Sequence, residues 1–261
     1  MSDQQTVPGF VEALGDFSQT YQRNLIVIAC IIIVVAIVIF VMYTQRRVDF
    51  KNIDENGAFV KYDNQIVDVS GRPPIAASDL IQAQIPLTFT YAFWMHITNW
   101  YTNYGYWKHV MHRGQSVATG CKTKADYDTL PDQYPGIWLG DVTNDMRVCF
   151  TTTKDKGVTR NIEFVDLKNV PVGEWFHFAV VLNERSVELY LNGNLHKTQI
   201  LVFTPIESLE PASIGLGNTV SAKLSTIRYM PLSLSATEIE RCYLREKLHY
   251  SSVSSGSIKN T

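Results

Sequence analysis

The sequence predicts an all-β fold, a two-sheet antiparallel sandwich of jelly-roll type with one short C-terminal helix, preceded by an N-terminal single transmembrane helix. Three observations predict it. Eighteen consecutive positions, Leu25 to Met42, hold no charge, proline or glycine; short runs rich in β-branched and aromatic residues follow Pro86; and two hairpin signals succeed one another between Trp175 and Leu201. Successive hairpins make neighbouring strands antiparallel, which favours a sandwich over a parallel α/β fold.

The apolar run comes first. As a helix rising ~1.5 Å per residue it covers about 27 Å, close to the ~30 Å hydrocarbon core, and Tyr43 adds an interfacial aromatic, so residues 25–43 are expected to span a bilayer. Only Arg23 precedes it within reach, whereas Arg46, Arg47 and Lys51 follow, so the positive-inside rule places the C-terminal domain on the cytosolic side. Residues 1–24 form a tail in which Phe10, Val11, Leu14, Phe17 and Tyr21 fit either an interfacial amphipathic segment or an unstructured stretch.

Residues 44–85 are polar and punctuated by Asn56-Gly57, Gly71-Arg72 and Pro73-Pro74, which reads as a linker with short runs at Ala58–Val60 and Gln65–Val69 available to a sheet edge. The domain proper is expected over residues 86–247. Leu87 to Ile97 alternates, with Leu87, Phe89, Tyr91, Phe93 and Met95 on one face and Ala92, Trp94 and His96 on the other. Trp107–His112, Gly136–Leu139 and Met146–Thr152 follow as strands. Trp175–Leu182 is apolar on both faces, as a central covered strand should be, and Val187, Leu189 and Leu191 point inward in the next. Asn192-Gly193 signals a type I′ turn into Leu195–Leu201. Ser235-Ala236-Thr237-Glu238 is a capping box flanked by Leu234 and Ile239, which starts a short helix with Ile239, Cys242 and Tyr243 on its apolar stripe. Residues 248–261 read as a mobile tail.

The first 44 residues hold one of the 23 basic and three of the 25 acidic side chains, so the domain is neutral and lacks the positive field that nucleic acid requires. Cys121, Cys149 and Cys242 lie beyond the apolar run; three buried thiols or one bridge such as Cys121–Cys149 both fit, and no Asn-x-Ser/Thr sequon occurs.

The best candidate binding surface is the aromatic cluster Trp100, Tyr101, Tyr104, Tyr106 and Trp107 in the loop between two strands. Exposed, these rings would stack on sugars or anchor a protein; buried, they would plug the end of the sandwich. Asp141, Asn144 and Asp145 are weak calcium candidates, because the same residues are good turn formers, and no metal site is expected. His109 and His112 diverge on a regular strand and read as an ordinary strand edge, and His177 as a satisfied core histidine.

Trp175-Phe176-His177-Phe178-Ala179 followed by Tyr190-Leu191-Asn192-Gly193, then Ile214-Gly215-Leu216-Gly217 and Ile227-Arg228-Tyr229 with Leu234 to Ile239, resembles the laminin-G-like, concanavalin A-like jelly-roll superfamily over roughly residues 85–246. Phe93-Trp94-Met95, Lys108 to Gly114 and Pro135 to Leu139 are similar to membrane-anchored versions in large icosahedral DNA viruses of algae and protists. The superfamily implies glycan or protein binding, sometimes with calcium, and glycoside hydrolysis in some branches. The viral branch implies a minor capsid protein that ties an internal membrane to the shell. The hydrolases carry a Glu-x-Asp-x-x-Glu string that is missing here, and Glu163, Asp166 and Glu188 read as solvated charges. The expectation is therefore a non-catalytic protein with no cofactor, with the lipid bilayer and other structural (capsid) proteins as partners, or alternatively a glycan-binding, lectin-like adhesin.

Overall fold

The computed structural model describes residues 25, 27–38, 58–115, 132–154, 159–217 and 219–256. The chain divides into two compact units, Met1–Phe50 and Lys51–Thr261. In the first, residues 27–38 are helical and exposed, and no helix among the described residues is long and apolar enough to cross a membrane. Arg23, Tyr43, Arg46, Arg47 and Lys51, as well as Cys121, lie outside the described residues.

The second unit is a sandwich of two antiparallel sheets. Its strands are β1 (Phe59–Lys61), β2 (Val67–Asp68), β3 (Arg72–Ile75), β4 (Thr88–Asn99), β5 (Lys108–Arg113), β6 (Gly136–Leu139), β7 (Met146–Lys154), β8 (Thr159–Leu167), β9 (Trp175–Asn183), β10 (Ser186–Leu191), β11 (Asn194–Ile200), β12 (Thr204–Pro205), β13 (Ala212–Ile214) and β14 (Ser221–Met230). One sheet runs β1-β14-β4-β9-β10-β11 with β2 also on β14; the other runs β12-β7-β6-β5-β13-β3 with β8 on β7. Phe89, Tyr91, Phe93 and Met95 of β4, Phe176, Phe178, Val180 and Leu182 of β9, and Val148 and Phe150 of β7 meet between the sheets. The two hairpins form as expected: Asn183 faces Ser186 across one turn, and Asn192 and Gly193 take φ 51° and 80° in the other.

The residues read as a linker carry three strands. β1 and β2 pair with β14, β3 pairs with β13, and Val69, Ile75 and Leu80 are fully or almost fully buried. Residues 58–80 therefore belong to the domain; apolar residues spaced too widely to show a period still reach the core when each strand is only two to four residues long. β14 is a second case. Ala222 and Leu224 face the core, then Ile227 and Tyr229, because the register shifts between Ser225 and Arg228 and Thr226 takes φ 46°. One extra residue reverses the alternation, so a central strand carries no continuous period-2 pattern.

The C-terminal helix α1 (Ala236–Gly256) is long, so the tail expected from residue 248 is helical as far as Gly256. The reason is an anchor beyond the expected end. Tyr250 is 1% exposed, stacks on Trp94 with ring centroids 4.2 Å apart, and its hydroxyl donates to Ser225 Oγ at 2.7 Å and pairs with Thr226 Oγ1. One turn earlier Glu246 accepts from Trp94 Nε1 at 2.7 Å and from the Arg228 guanidinium at 2.6 Å. Ile239, Cys242, Glu246 and Tyr250 thus make one helical stripe against the outer face of the first sheet, and Ser235 caps it through Glu238 Oε2. Tyr250→Ala is expected to cost about 3–5 kcal/mol in urea unfolding, as for other large buried aromatics, whereas Leu248→Ala, at a position 79% exposed, should change stability by under about 0.5 kcal/mol.

Candidate binding surface at the loop end

The loop of residues 100–107 leaves β4 and enters β5 at Lys108, and that lysine organises it. Lys108 is 0% exposed, and its ammonium donates to the carbonyl oxygens of Gly140 at 2.8 Å, Asp141 at 3.2 Å and Tyr106 at 3.4 Å. Three N–H groups meet three carbonyls, as a buried ammonium requires. The ammonium also lies 4.7 Å from the Trp100 ring centroid, a cation–π contact. Burial lowers the Lys108 pKa, and Asp141 opposes the shift.

Hydrogen bonds tie this loop and the end of β4 to their neighbours. Gly105 N–H donates to Asp141 O at 3.0 Å, Asn103 Nδ2 to Thr219 O at 2.7 Å, and Gly173 N–H to Ile97 O at 2.9 Å. Asp145 secures the next loop: its carboxylate accepts from Thr143 Oγ1, Lys168 Nζ and Asn169 N–H at 2.8, 2.8 and 3.1 Å. Asn144 exchanges two bonds with Val170, and Asp141 Oδ1 accepts from Val142 N–H. The weak calcium candidates Asp141, Asn144 and Asp145 thus build the turn with their own side chains, over a loop whose carbonyls already hold the Lys108 ammonium. No group of three or more His, Cys, Asp or Glu that could hold a metal occurs among the described residues.

The five aromatics separate. Trp100 is 8% exposed and belongs to the core, where it plugs the end of the sandwich. Trp107 is half-buried against Trp138 and Cys149, with the Arg147 guanidinium 4.5 Å from its ring; Tyr106 is half-buried. Tyr101 and Tyr104 are 76% and 54% exposed, with ring centroids 6.1 Å apart and planes inclined by 33°. The loop bonded to this one through Asp141 adds the exposed side chain of Val142, and Val172 is exposed in the loop that Gly173 ties to β4. The arrangement is a rigid end presenting two aromatic faces, the kind of surface that stacks on a ring or fills a partner's pocket.

The model of the laminin G 3 family, described as the concanavalin A-like lectin/glucanases superfamily, matches residues 73–240. The chain belongs to this superfamily. The match begins within β3 and ends just inside α1, so β1, β2 and the Tyr250 anchor lie outside it. No curated protein matches the chain. Solved structures similar to this one include the receptor-binding domain of botulinum neurotoxin D (12% identity, TM-score 0.48, 72% of this chain and 48% of that one). The serotype G binding domain (12%, 0.47, 73% and 47%) and the binding domain of botulinum neurotoxin DC in complex with SialylT (12%, 0.45, 61% and 35%) are also among them. The chain spans less than half the length of each.

In this concanavalin A-like domain the three acids read as solvated charges have protein partners. Glu163 accepts from the backbone N–H groups of Val202 at 2.6 Å and Phe203 at 2.9 Å, Asp166 forms a bidentate pair with Arg147 at 2.7 and 2.9 Å, and Glu188 accepts from the Tyr190 hydroxyl at 2.5 Å. Those partners come from other strands or loops, or from two residues along the same strand, and leave no trace in local spacing.

His109 and His112 do not diverge. A register shift between His109 and Met111 sets Val110 and Met111 into the core and turns both histidines to the other face, where His109 Nε2 and His112 Nδ1 are 2.8 Å apart. The flanking bonds fix the tautomers. Leu216 N–H donates to His109 Nδ1 at 2.9 Å, so His109 carries its proton on Nε2 and donates it to His112 Nδ1; His112 Nε2–H then donates to Gln115 O at 2.8 Å. A second proton on either ring would point at a donor, and burial lowers both pKa values. His177, expected to be satisfied, has no hydrogen-bond partner at Nδ1 among the described residues, and burial with the nearby Arg228 charge pushes its pKa down to about 3.

Replacing Lys108 with Met should leave the loop carbonyls unpaired and cost about 1–3 kcal/mol, with faster hydrogen exchange at the Gly105 and Gly140 amides as the local readout. For pH, the sign follows from the lowered folded-state values of His109, His112 and His177 against the ordinary 6.5. The unfolded chain takes up protons the folded chain refuses. Stability is therefore full above about pH 6.5 and is lost as pH falls below it, by up to about 1.4 kcal/mol per pH unit for His177, whose folded-state value is about 3, with His109 and His112 adding in the same direction. Urea unfolding at pH 7.5 and 5.0 checks this, and a flat profile would contradict it.

Proposed function

We propose that this chain is a non-catalytic interaction protein, anchored in a membrane through residues 25–43, whose concanavalin A-like domain docks on another structural protein. In a virus of the kind its motifs resemble, that role is a minor capsid protein tying the internal membrane to the capsid shell. The observation that carries the reading is the loop end, on which Tyr101 and Tyr104 stay exposed while Lys108, Asn103 and Asp145 bond the surrounding loops together. Tyrosines on a fixed support bind with little loss of side-chain freedom. A non-catalytic role is supported by Glu163, Asp166 and Glu188, each committed as an acceptor within the fold. The excess of Arg46, Arg47 and Lys51 over Arg23 favours a cytosol-facing domain, the side on which a capsid assembles.

A second reading, glycan binding, is favoured by the inclination of the two tyrosine rings, whose faces offer stacking platforms for a sugar. Chemical crosslinking of the anchored protein in assembling membranes separates the two. The Tyr101→Ala, Tyr104→Ala double variant is expected to lose capture of a protein partner by about 30-fold or more, the effect of one hot-spot side chain or better. A glycan-array signal that vanishes in the same variant would assign the surface to sugars instead. Protease digestion of sealed membranes should remove a C-terminal tag without detergent; a protected tag would reverse the topology and, with it, the capsid reading.

A further inference from the structure

The sandwich has a second end, opposite the loop of residues 100–107. β4 starts there at Thr88, paired with Asn183, β10 starts there at Ser186 and β11 finishes there at Ile200. In the other sheet β3 finishes and β13 starts there, at the paired Ile75 and Ala212. Three connections cross this end: from Ile75 to Thr88, from Ile200 to Thr204 and from Pro205 to Ala212. They carry the exposed aliphatic side chains of Ile81, Ile85, Ile200, Val202 and Leu209, from 54% exposed at Ile81 to 68% at Ile200.

The main chain beneath them is tied inward. The Tyr229 hydroxyl donates to Ile81 O at 2.7 Å, Arg113 Nη2 and Nε donate to Leu80 O and Glu210 O at 3.0 and 3.2 Å, and Gln82 Nε2 donates to Glu207 Oε2 at 2.9 Å. Glu184 N–H donates to Leu87 O at 2.9 Å and Arg185 Nη1 to Val202 O at 3.0 Å. These bonds hold the connections on the core while the five aliphatic side chains turn to solvent, where connections ordinarily place Gly, Asn, Asp or Ser. Exposed apolar side chains gathered at one end of a domain mark a contact. Their type points to its chemistry. Protein hot spots favour Trp, Tyr and Arg, with Leu and Val under-represented; this set is Ile, Val and Leu alone. The exposed charges of the three connections and the neighbouring β9–β10 turn are Asp79, Glu184 and Glu210 against Arg185, so no positive field draws an anionic surface here.

The chain also enters the domain at this end. Phe59 of β1 pairs with Tyr229, next to the last residue of β14, so Ala58 stands at the end that carries Ile81 and Leu209. Residues 44–57 separate Ala58 from the proposed span, a reach of about 50 Å at full extension. A bilayer holding residues 25–43 is thereby kept near this end at high effective concentration, and a weak apolar contact becomes an intramolecular one. We propose that Ile81, Ile85, Ile200, Val202 and Leu209 seat this end of the domain in the headgroup region of a neutral phospholipid bilayer, the same one that holds the anchor. The contact presupposes the membrane anchor proposed above. Tyr101 and Tyr104, at the opposite end of the sandwich, stay available to a partner.

The test is photolabelling of the full chain in phosphatidylcholine vesicles that contain a phosphatidylcholine with a diazirine near the start of one acyl chain, read by mass spectrometry of the digested protein. Residues 25–43 should carry label, and so should the segments at Ile81–Ile85, Ile200–Val202 and Leu209, at about tenfold or more the yield at Tyr101–Tyr104. Ile85→Asp with Leu209→Asp, at exposed positions that leave the fold intact, should lower the label at Ile200 and Val202 by about fivefold. Label confined to residues 25–43 would overturn the contact and leave the anchor standing, and label in none of these segments would overturn both. Label in the three segments without residues 25–43 would uphold the contact and refute the anchor. Equal yields at the two ends of the sandwich would overturn the contact, as would crosslinking of Ile85 and Leu209 to a second protein in place of lipid.

Discussion

Strand β5 carries Lys108, His109, His112 and Arg113, and all four are buried. An ionisable side chain in a sandwich core is tolerated only with partners or without its charge. Each of the four meets that condition differently. Lys108 keeps its charge and takes carbonyls from two loops; the histidines give theirs up and pass one hydrogen bond along a line; Arg113 draws on backbone oxygens and a tyrosine. These solutions bring to one strand the segments that surround it: the loops after β4 and β6 at one end, Leu216 and Gln115 along its face, Leu80 and Glu210 at the other end.

The loop end inherits its rigidity from this arrangement. A cation in the position of Lys108, surrounded by carbonyl oxygens, does the work of a bound metal in ordering the turn, and Asp145 then needs only protein donors. Order in the loop is what turns two exposed tyrosines from surface residues into a platform. On the opposite sheet the C-terminal helix relies on comparable chemistry, with the Glu246 carboxylate shared by Trp94 and Arg228 and covered by Tyr250.

Hairpins, inward alternation in β4, β9 and β10, and the helix start at Ser235 are legible because each depends on residues within a few positions of one another. Bulges defeat the same reading in β5 and β14, since one extra residue reverses every side chain beyond it. Among the loop aromatics, the stretch Trp100 to Trp107 announces itself by composition, yet nothing local separates Trp100, which is core, from Tyr101, which is surface. An irregular loop has no period, so the tertiary contacts of each ring, such as Trp100 over the Lys108 ammonium, decide which turns inward.

The amino-acid order by itself determined the apolar stretch near the N-terminus, the antiparallel sandwich and the neutrality of its surface, because these rest on local hydrophobicity, turn chemistry and summed charge. Tertiary structure alone decided which groups meet. His109 and His112 form a pair, Arg113 bonds Leu80, Glu210 and Tyr229, and Tyr250 lengthens the helix, because each outcome depends on partners up to more than a hundred residues away or on a single-residue shift in pairing. A buried polar group must find its partner in three dimensions, and spacing along a chain does not encode that distance.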